Sequence, residues 1–475
     1  MMEDIPLDTS RLQRGDSWRR SFAPVQIRRT RSKSASWHSH VSIVALILWI
    51  CLWLNLNTGF WNINPPNTAD EWQLMFRAIL PFVVLPVATF VFFRRAKARL
   101  AWNGPSSLLM VYGVIATLAA IFSPVPLWSL YWSMTFLATI IVAWTFIDRR
   151  DPIKSTRTML QVTWIAAFVI AAILAYQTRG SVFSDASSAY GYAEVEVAGL
   201  SRSSGIARWA AVPGLVCLIR AYHSRRPTVI VLFLAFSAAA FFIVYRMQSR
   251  GAVFGSAAAL VFALFVSSRM RRYALPFALL TLSVILLVDS PATVSSNVTE
   301  YLERGQTEEE FTSMTGRTRT YENGLAAFEE APLFGRGQWA DRLTIHEHVH
   351  NSYLQAFMNA GVVGGIPYIV TWISGWILFF KLQKKSAKFL PEDRLCILEA
   401  GTVMMFFTVR SIPETTTASY AVDLLVMVAV YVYLESLTIH LKAKQRERSV
   451  HNLNEATAFR YNPRLLIPAD ATDVI

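Results

Sequence analysis

Three histidines and a glutamate stand together in His346-Glu347-His348-Val349-His350, immediately ahead of the apolar run that opens Asn351-Ser352-Tyr353-Leu354. Imidazole exchanges protons near neutral pH and is the commonest metal ligand, so the cluster opens two chemical routes. One is zinc: His346, Glu347 and His350 satisfy H-E-x-x-H, which on a helix sets two imidazoles one turn apart around the metal, with Glu347 as general base. A membrane zinc metalloprotease built this way needs a third ligand. The extended motif fails at Tyr353 and Ala356, and the next acids along the chain are Glu392 and Asp393. The other route is general-base catalysis by His350. Read as part of a first helical turn, it faces the positive end of the helix dipole, which favours the neutral ring, the form that accepts a proton.

Arginine supplies the second kind of chemistry. The polar stretch from Met314 to Gly364 holds Arg317, Arg319 and Arg336 besides the histidines, while Arg202 and Arg208 lie upstream in SRSSGIARWAAV, and Arg246 and Arg250 in YRMQSRGAVFG. A guanidinium is a planar fork that grips phosphate through paired hydrogen bonds. Cations at the edge of hydrocarbon are costly unless solvated or paired, so these arginines predict either snorkelling to lipid headgroups or a shared polar cavity. Their gathering on the face that carries the histidine loop favours the cavity. Gly335 and Gly337, on either side of Arg336, would let backbone N–H groups approach an anion.

The elements that must position these residues are membrane helices. Of the 475 residues 53% are hydrophobic, the mean hydropathy is +0.36, and the apolar residues come in unbroken blocks of spanning length. The expected fold is all-α: a polytopic bundle of about twelve transmembrane helices near 41–58, 74–93, 106–124, 127–147, 157–176, 206–221, 228–245, 251–267, 273–289, 354–380, 395–410 and 420–440, with one large helical external loop. The net charge of +13 does not point to nucleic acid, because the basic residues sit in short loops between apolar blocks. Those loops alternate, and the positive-inside rule puts the basic ones and both termini in the cytoplasm and the 290–353 loop outside. The chain thus divides into a disordered basic tail (1–38), nine spans (39–289), the external loop that would carry catalysis (290–353), three spans (354–441) and a cytoplasmic tail (442–475). Within the loop, Arg317 and Tyr321 are expected on one side of a helix whose Tyr321, Leu325 and Phe328 form an apolar face. The 3 cysteines, Cys51, Cys217 and Cys396, lie in apolar blocks and form no zinc or disulfide framework. No phosphate-binding loop of the ATPase type is present, and no internal repeat suggests a transporter or lipid flippase.

In the order and spacing of its motifs the chain resembles the O-antigen ligase and polysaccharide polymerase superfamily of bacterial envelope membrane proteins. The resemblance rests on Arg202 with Gly205, Ser249-Arg250-Gly251, Gly316-Arg317, Pro332-Leu333-Phe334-Gly335-Arg336-Gly337, His350-Asn351 with Tyr353-Leu354, and Gly361 to Gly364, and covers roughly 200–365. Arg208-Trp209 departs from it, standing where many relatives carry an asparagine-containing segment. The resemblance implies a glycosyltransferase of the inner membrane, without cofactor or metal, that moves a saccharide from undecaprenyl pyrophosphate to an acceptor sugar hydroxyl at the periplasmic face. It implies His350 as general base, Arg202 and Arg250 on the pyrophosphate with Arg317 as helper, and Arg208, Arg336, Asn351 and Tyr353 as further substrate contacts. The implied partners are the lipid-linked donor, an acceptor that is either a lipid-linked repeat unit (polymerase) or lipid A core (ligase), membrane lipids and a chain-length regulator. The acidic loop stretch and long tails lean toward an exopolysaccharide polymerase.

Overall fold

The computed structural model describes residues 43–56, 71–95, 104–147, 151–177, 203–247, 249–272 and 317–461. No strand occurs among them. The helices are α1 (Ile43–Leu54), α2 (Glu71–Arg95), α3 (Pro105–Ala119), α4 (Pro126–Thr145), α5 (Pro152–Gln177), α6 (Ser203–His223), α7 (Pro227–Arg246), α8 (Arg250–Val266), α9 (Arg317–Glu329), α10 (Ala340–Thr344), α11 (Ser352–Lys384), α12 (Pro391–Arg410) and α13 (Val422–Tyr461). Five of them, α3, α4, α5, α7 and α12, start on a proline, whose fixed φ suits the first helical position and whose missing N–H is not needed there.

Every predicted span falls on one of these helices except 273–289, which lies outside the described residues, as do the 1–38 tail and the first part of the external loop. Among the described residues 7 helices are long and apolar enough to cross a membrane, so the expected total of twelve is not reached there by that measure. Helices α1 and α8 are shorter, and α6 and α12 carry charge. Those charges are matched helix to helix: Arg208 of α6 meets Asp423 of α13 at 3.0 Å, and Arg220 of α6 meets Glu399 of α12 at 2.7 Å. Pairing removes most of the penalty for ions among apolar helices, and it explains how segments of modest hydropathy sit inside the bundle. At the centre runs α13, whose apolar residues from Leu424 to Leu434 are almost all fully buried. Its Glu435 accepts hydrogen bonds from the backbone N–H and the hydroxyl of Ser106 on α3.

The feature that shapes the site is a break in α11. Gly361 has φ 59° and ψ −164°, outside the helical region, and splits the helix into a short first part and a long second one. At about 1.5 Å per residue the second part alone spans the ~30 Å of a bilayer core. A break frees the carbonyls of the turn before it and the N–H groups of the turn after it. The segment 332–337 replaces both sets: Arg336 and Gly337 donate their N–H groups to the carbonyls of Met358 (2.9 Å) and Asn359 (2.8 Å), while Val362 and Val363 donate to Pro332 (2.8 Å) and Leu333 (3.2 Å). Such close backbone approach requires glycine, for a Cβ on Gly335 would lie 2.6 Å from three backbone atoms of α11. The Gly335-Arg336-Gly337 backbone therefore serves the broken helix, which corrects the expectation of an anion cradle.

Candidate active site

His350 lies just before α11 rather than in its first turn, with φ 47°. The cap is Asn351, whose Oδ1 accepts from the N–H groups of Tyr353 (3.0 Å) and Leu354 (2.9 Å) while its Nδ2 donates to the carbonyl of Ile412 (3.0 Å). Asn351 is thus committed to structure. A carboxylate, not the helix dipole, sets His350: its Nδ1 is 3.2 Å from Glu414 Oε2, and its carbonyl accepts from the Tyr321 hydroxyl at 3.3 Å. The other oxygen of Glu414 takes Arg317 Nη2 at 3.0 Å, and Arg317 Nη1 donates to the Pro413 carbonyl.

Glu414 belongs to the connection 411–421, which looks like a plain loop in sequence yet is nearly all buried from Glu414 to Tyr420. Buried loop backbone needs partners, and polar side chains of α3 and α11 provide them. Ser352 Oγ accepts from Thr416 N–H at 2.6 Å, Tyr368 and Thr417 share a hydroxyl bond at 2.9 Å, and the Tyr112 hydroxyl donates to the Ala418 carbonyl at 2.7 Å.

Next to the loop lies a group of guanidiniums. Arg410, the last residue of α12, is fully buried and stands 3.8 Å from Asp423, which also holds Arg208. Arg250 opens α8 close enough to Arg317 for the two charges to act on one another, and a Cβ on the adjacent Gly251 would touch Glu414, Pro413 and Arg410. Arg208, Arg250, Arg317 and Arg410 thus face the two carboxylates Glu414 and Asp423, an excess of positive charge beside His350. Sequence reasoning found three of these arginines and missed Arg410 and Glu414. The signal for Arg410 was present, since it is one more cation at the outer edge of an apolar block. Arg202 lies outside the described residues. Arg336 turns away to Glu330, and Tyr353 packs half-buried with its ring 6.2 Å from that of Tyr368.

A second histidine–carboxylate pair adjoins the first. His348 Nδ1 is 2.8 Å from Asp341 Oδ2, and the His348 and His350 rings meet edge to face with centroids 4.4 Å apart. Burial pushes His348 below its ordinary pKa more than Asp341 pulls it up, so the neutral ring donates to the carboxylate. Burial would raise Asp341, but the bond to His348, the nearby charge of Arg342 and the Val349 N–H hold it low. The zinc route fails on geometry. Residues 346–350 are not helical, His346 is exposed with φ 57°, and Glu347 is exposed and accepts from Thr320. Among the described residues no three His, Cys, Asp or Glu gather to hold a metal. On α9, Tyr321 and Phe328 pack inward as expected, but Leu325 is half exposed because Gly324 takes the contact with Val349 and Leu354.

Burial alone would raise Glu414, yet the bond with His350 and the charges of Arg410 and Arg317 outweigh it and hold the carboxyl well below the usual carboxylate range. A depressed folded-state pKa gives stability that is fully present above the ordinary value of 4.5 and is lost as pH falls through the lower value. Glu414→Gln is therefore expected to lower the Tm in detergent by an amount constant from neutral pH down to the ordinary value of 4.5 and shrinking in stronger acid. A pH-independent gap would show that the charge is not what stabilises.

Apolar helices that span a membrane, gathered around a buried polar centre of histidine, carboxylate and arginine, define a multi-pass membrane protein with a charged site at one end of the bundle. A family model described as O-antigen ligase matches residues 235–369, from within α7 to just past the break in α11, and this match supports the resemblance to the O-antigen ligase and polysaccharide polymerase superfamily. The match includes Arg250, Arg317, His350 and Gly361, while Arg208, Arg410 and Glu414 fall outside it. An uncharacterized protein of Haemophilus influenzae is 26% identical over 144 residues, an alignment covering 26% of this chain and 35% of the relative. The chain thus spans about a third of the length of the curated relative it matches.

Proposed function

We propose that the protein transfers a saccharide from undecaprenyl pyrophosphate to a hydroxyl of an acceptor sugar at the periplasmic face of the bacterial inner membrane, without a metal ion and with inversion at the anomeric carbon. The observation that carries this reading is the Glu414–His350 pair set beside the arginine group. With Nδ1–H donated to Glu414, Nε2 keeps its lone pair and accepts the acceptor hydroxyl's proton as that oxygen attacks the anomeric carbon. The carbon–oxygen bond to pyrophosphate breaks, and its electron pair leaves with the phosphate oxygen. Guanidiniums of Arg250 and Arg317, together with that of Arg202 as the sequence resemblance implies, hold that growing negative charge as a metal ion would otherwise do. Glu414 and Asp423 are tied to arginine, so neither is free to serve as a nucleophile, and a single displacement inverts the centre. The alternation of basic loops along the sequence supports a cytoplasmic position for both termini in this reading.

The test is reconstitution in proteoliposomes with lipid-linked repeat unit alone and chelator present. A ladder of products identifies a polymerase, a shifted band only after lipid A core is added identifies a ligase, and no product with either overturns the proposal. In the same assay Arg250→Ala is expected to raise the donor KM by about tenfold or more, the scale of a charge-assisted hydrogen bond worth ~1.5–3 kcal/mol. Arg250→Lys should recover little of this, because a point charge lacks the fork. An unchanged donor KM in Arg250→Ala would remove that residue from the pyrophosphate.

A further inference from the structure

We propose that the aromatic cluster of Trp128, Trp132 and Trp339 is a stacking subsite for a pyranose ring of the saccharide being joined, next to the histidine pair; this rests on the transferase reading above. Trp339 belongs to the external segment, not to a span, and is held at φ 66°, a backbone conformation that a bulky residue adopts only under constraint. What the strain secures is a stack. The Trp339 and Trp132 rings lie parallel, 9° apart in plane with centroids 4.2 Å apart, and the guanidinium of Arg342 covers Trp339 at 4.1 Å. Trp128 meets both indoles edge-on, at 6.2 and 6.4 Å, and remains 47% exposed.

A tryptophan that merely anchors a helix in the headgroup region needs neither a stacked partner nor a strained backbone. A sugar ring calls for this arrangement: its C–H face lies against an indole, and its hydroxyl rim meets a polar or charged group such as Arg342. The cluster is also joined to the proposed chemistry. Two residues beyond Trp339, Asp341 holds His348, whose ring touches that of His350. On the other side Trp132 lies 6.3 Å from Tyr420, at the far end of the loop that carries Glu414. A ring bound at Trp128 would thus place the rest of its chain along the path to His350.

The probe is the free oligosaccharide released by mild acid from the polyprenyl-linked repeat unit, added to full-length protein in nanodiscs and followed by saturation-transfer NMR. Wild type is expected to saturate the C–H protons of one ring face. Trp128→Ala should weaken binding about tenfold, the effect of losing ~1.4 kcal/mol, and Trp128→Phe should restore most of it. Arg342→Ala, an exposed change, should weaken binding less while leaving the fold intact. Equal affinity in wild type, Trp128→Ala and Arg342→Ala, with only thermal stability altered, overturns the subsite and leaves the rings as an interfacial anchor. Oligosaccharide binding that depends on Trp128 in a protein showing no transfer would remove the transferase reading and keep the subsite. Transfer with an unchanged saccharide KM in Trp128→Ala would remove the subsite alone.

Discussion

His350→Ala is expected to cut saccharide transfer by about 10²–10⁴-fold, the usual contribution of a positioned general base, with donor affinity kept. The acceptor hydroxyl is a poor nucleophile until its proton is taken, whereas pyrophosphate leaves without help beyond charge. The loss should therefore appear in kcat and not in donor KM. His350 is half-buried at the edge of the bundle, so its removal should not unfold the protein. His348 is the natural comparison, because its ring lies against that of His350 but its Nδ1 is committed to the buried Asp341. Its alanine variant should be impaired less. The measurement is initial rate in proteoliposomes at saturating donor, and a near-normal rate in His350→Ala would sink the mechanism.

Gly361→Val is expected to abolish folding. A Cβ at this position would lie 2.2 Å from the carbonyl carbon and oxygen of Leu333, and the φ of 59° with an extended ψ is open essentially to glycine alone. Valine adds backbone strain of ~1–3 kcal/mol. It also expels the 332–337 segment, leaving carbonyls and N–H groups of α11 without partners at about 1–3 kcal/mol each. That total is comparable with the whole stability of a typical domain, ~5–15 kcal/mol. Size-exclusion profiles of detergent extracts would show aggregate or no protein, whereas Gly251→Ala, whose Cβ would meet nothing nearer than 3.7 Å, should run as wild type. A monodisperse Gly361→Val would mean that the break is not needed.

The sequence discloses helix positions well because a bilayer imposes one length rule on every span, and the described helices fall where unbroken apolar blocks stand. Count is less legible. Helices α6 and α12 are read as spans from their apolar blocks yet fall short by hydropathy, because a linear measure cannot see Arg220 and Glu399 meeting across two helices. The histidine cluster stands out by residue type, but its orientation does not: His350 reads as a helix residue until Asn351 is seen to take the cap. Glu414 was hidden for a different reason. Ser411 to Tyr420 has the composition of an exposed connection, and only the polar side chains of Tyr112, Ser352 and Tyr368, each far away in sequence, show that it is buried. Likewise Gly361 sits among apolar residues, and nothing nearby tells that two turns of helix are completed by a strip of chain preceding it.

That strip also fixes an order of events during biosynthesis. Residues 332–337 are made before α11, so the donors and acceptors that finish the helix already exist when Met358 to Val363 arrive. A ribosome delivering the chain from its N-terminal end presents the template first and the helix that needs it second. Were the two segments exchanged by circular permutation, α11 would enter the bilayer with its break uncovered and would have to wait, exposed to quality-control proteases, for its missing turn.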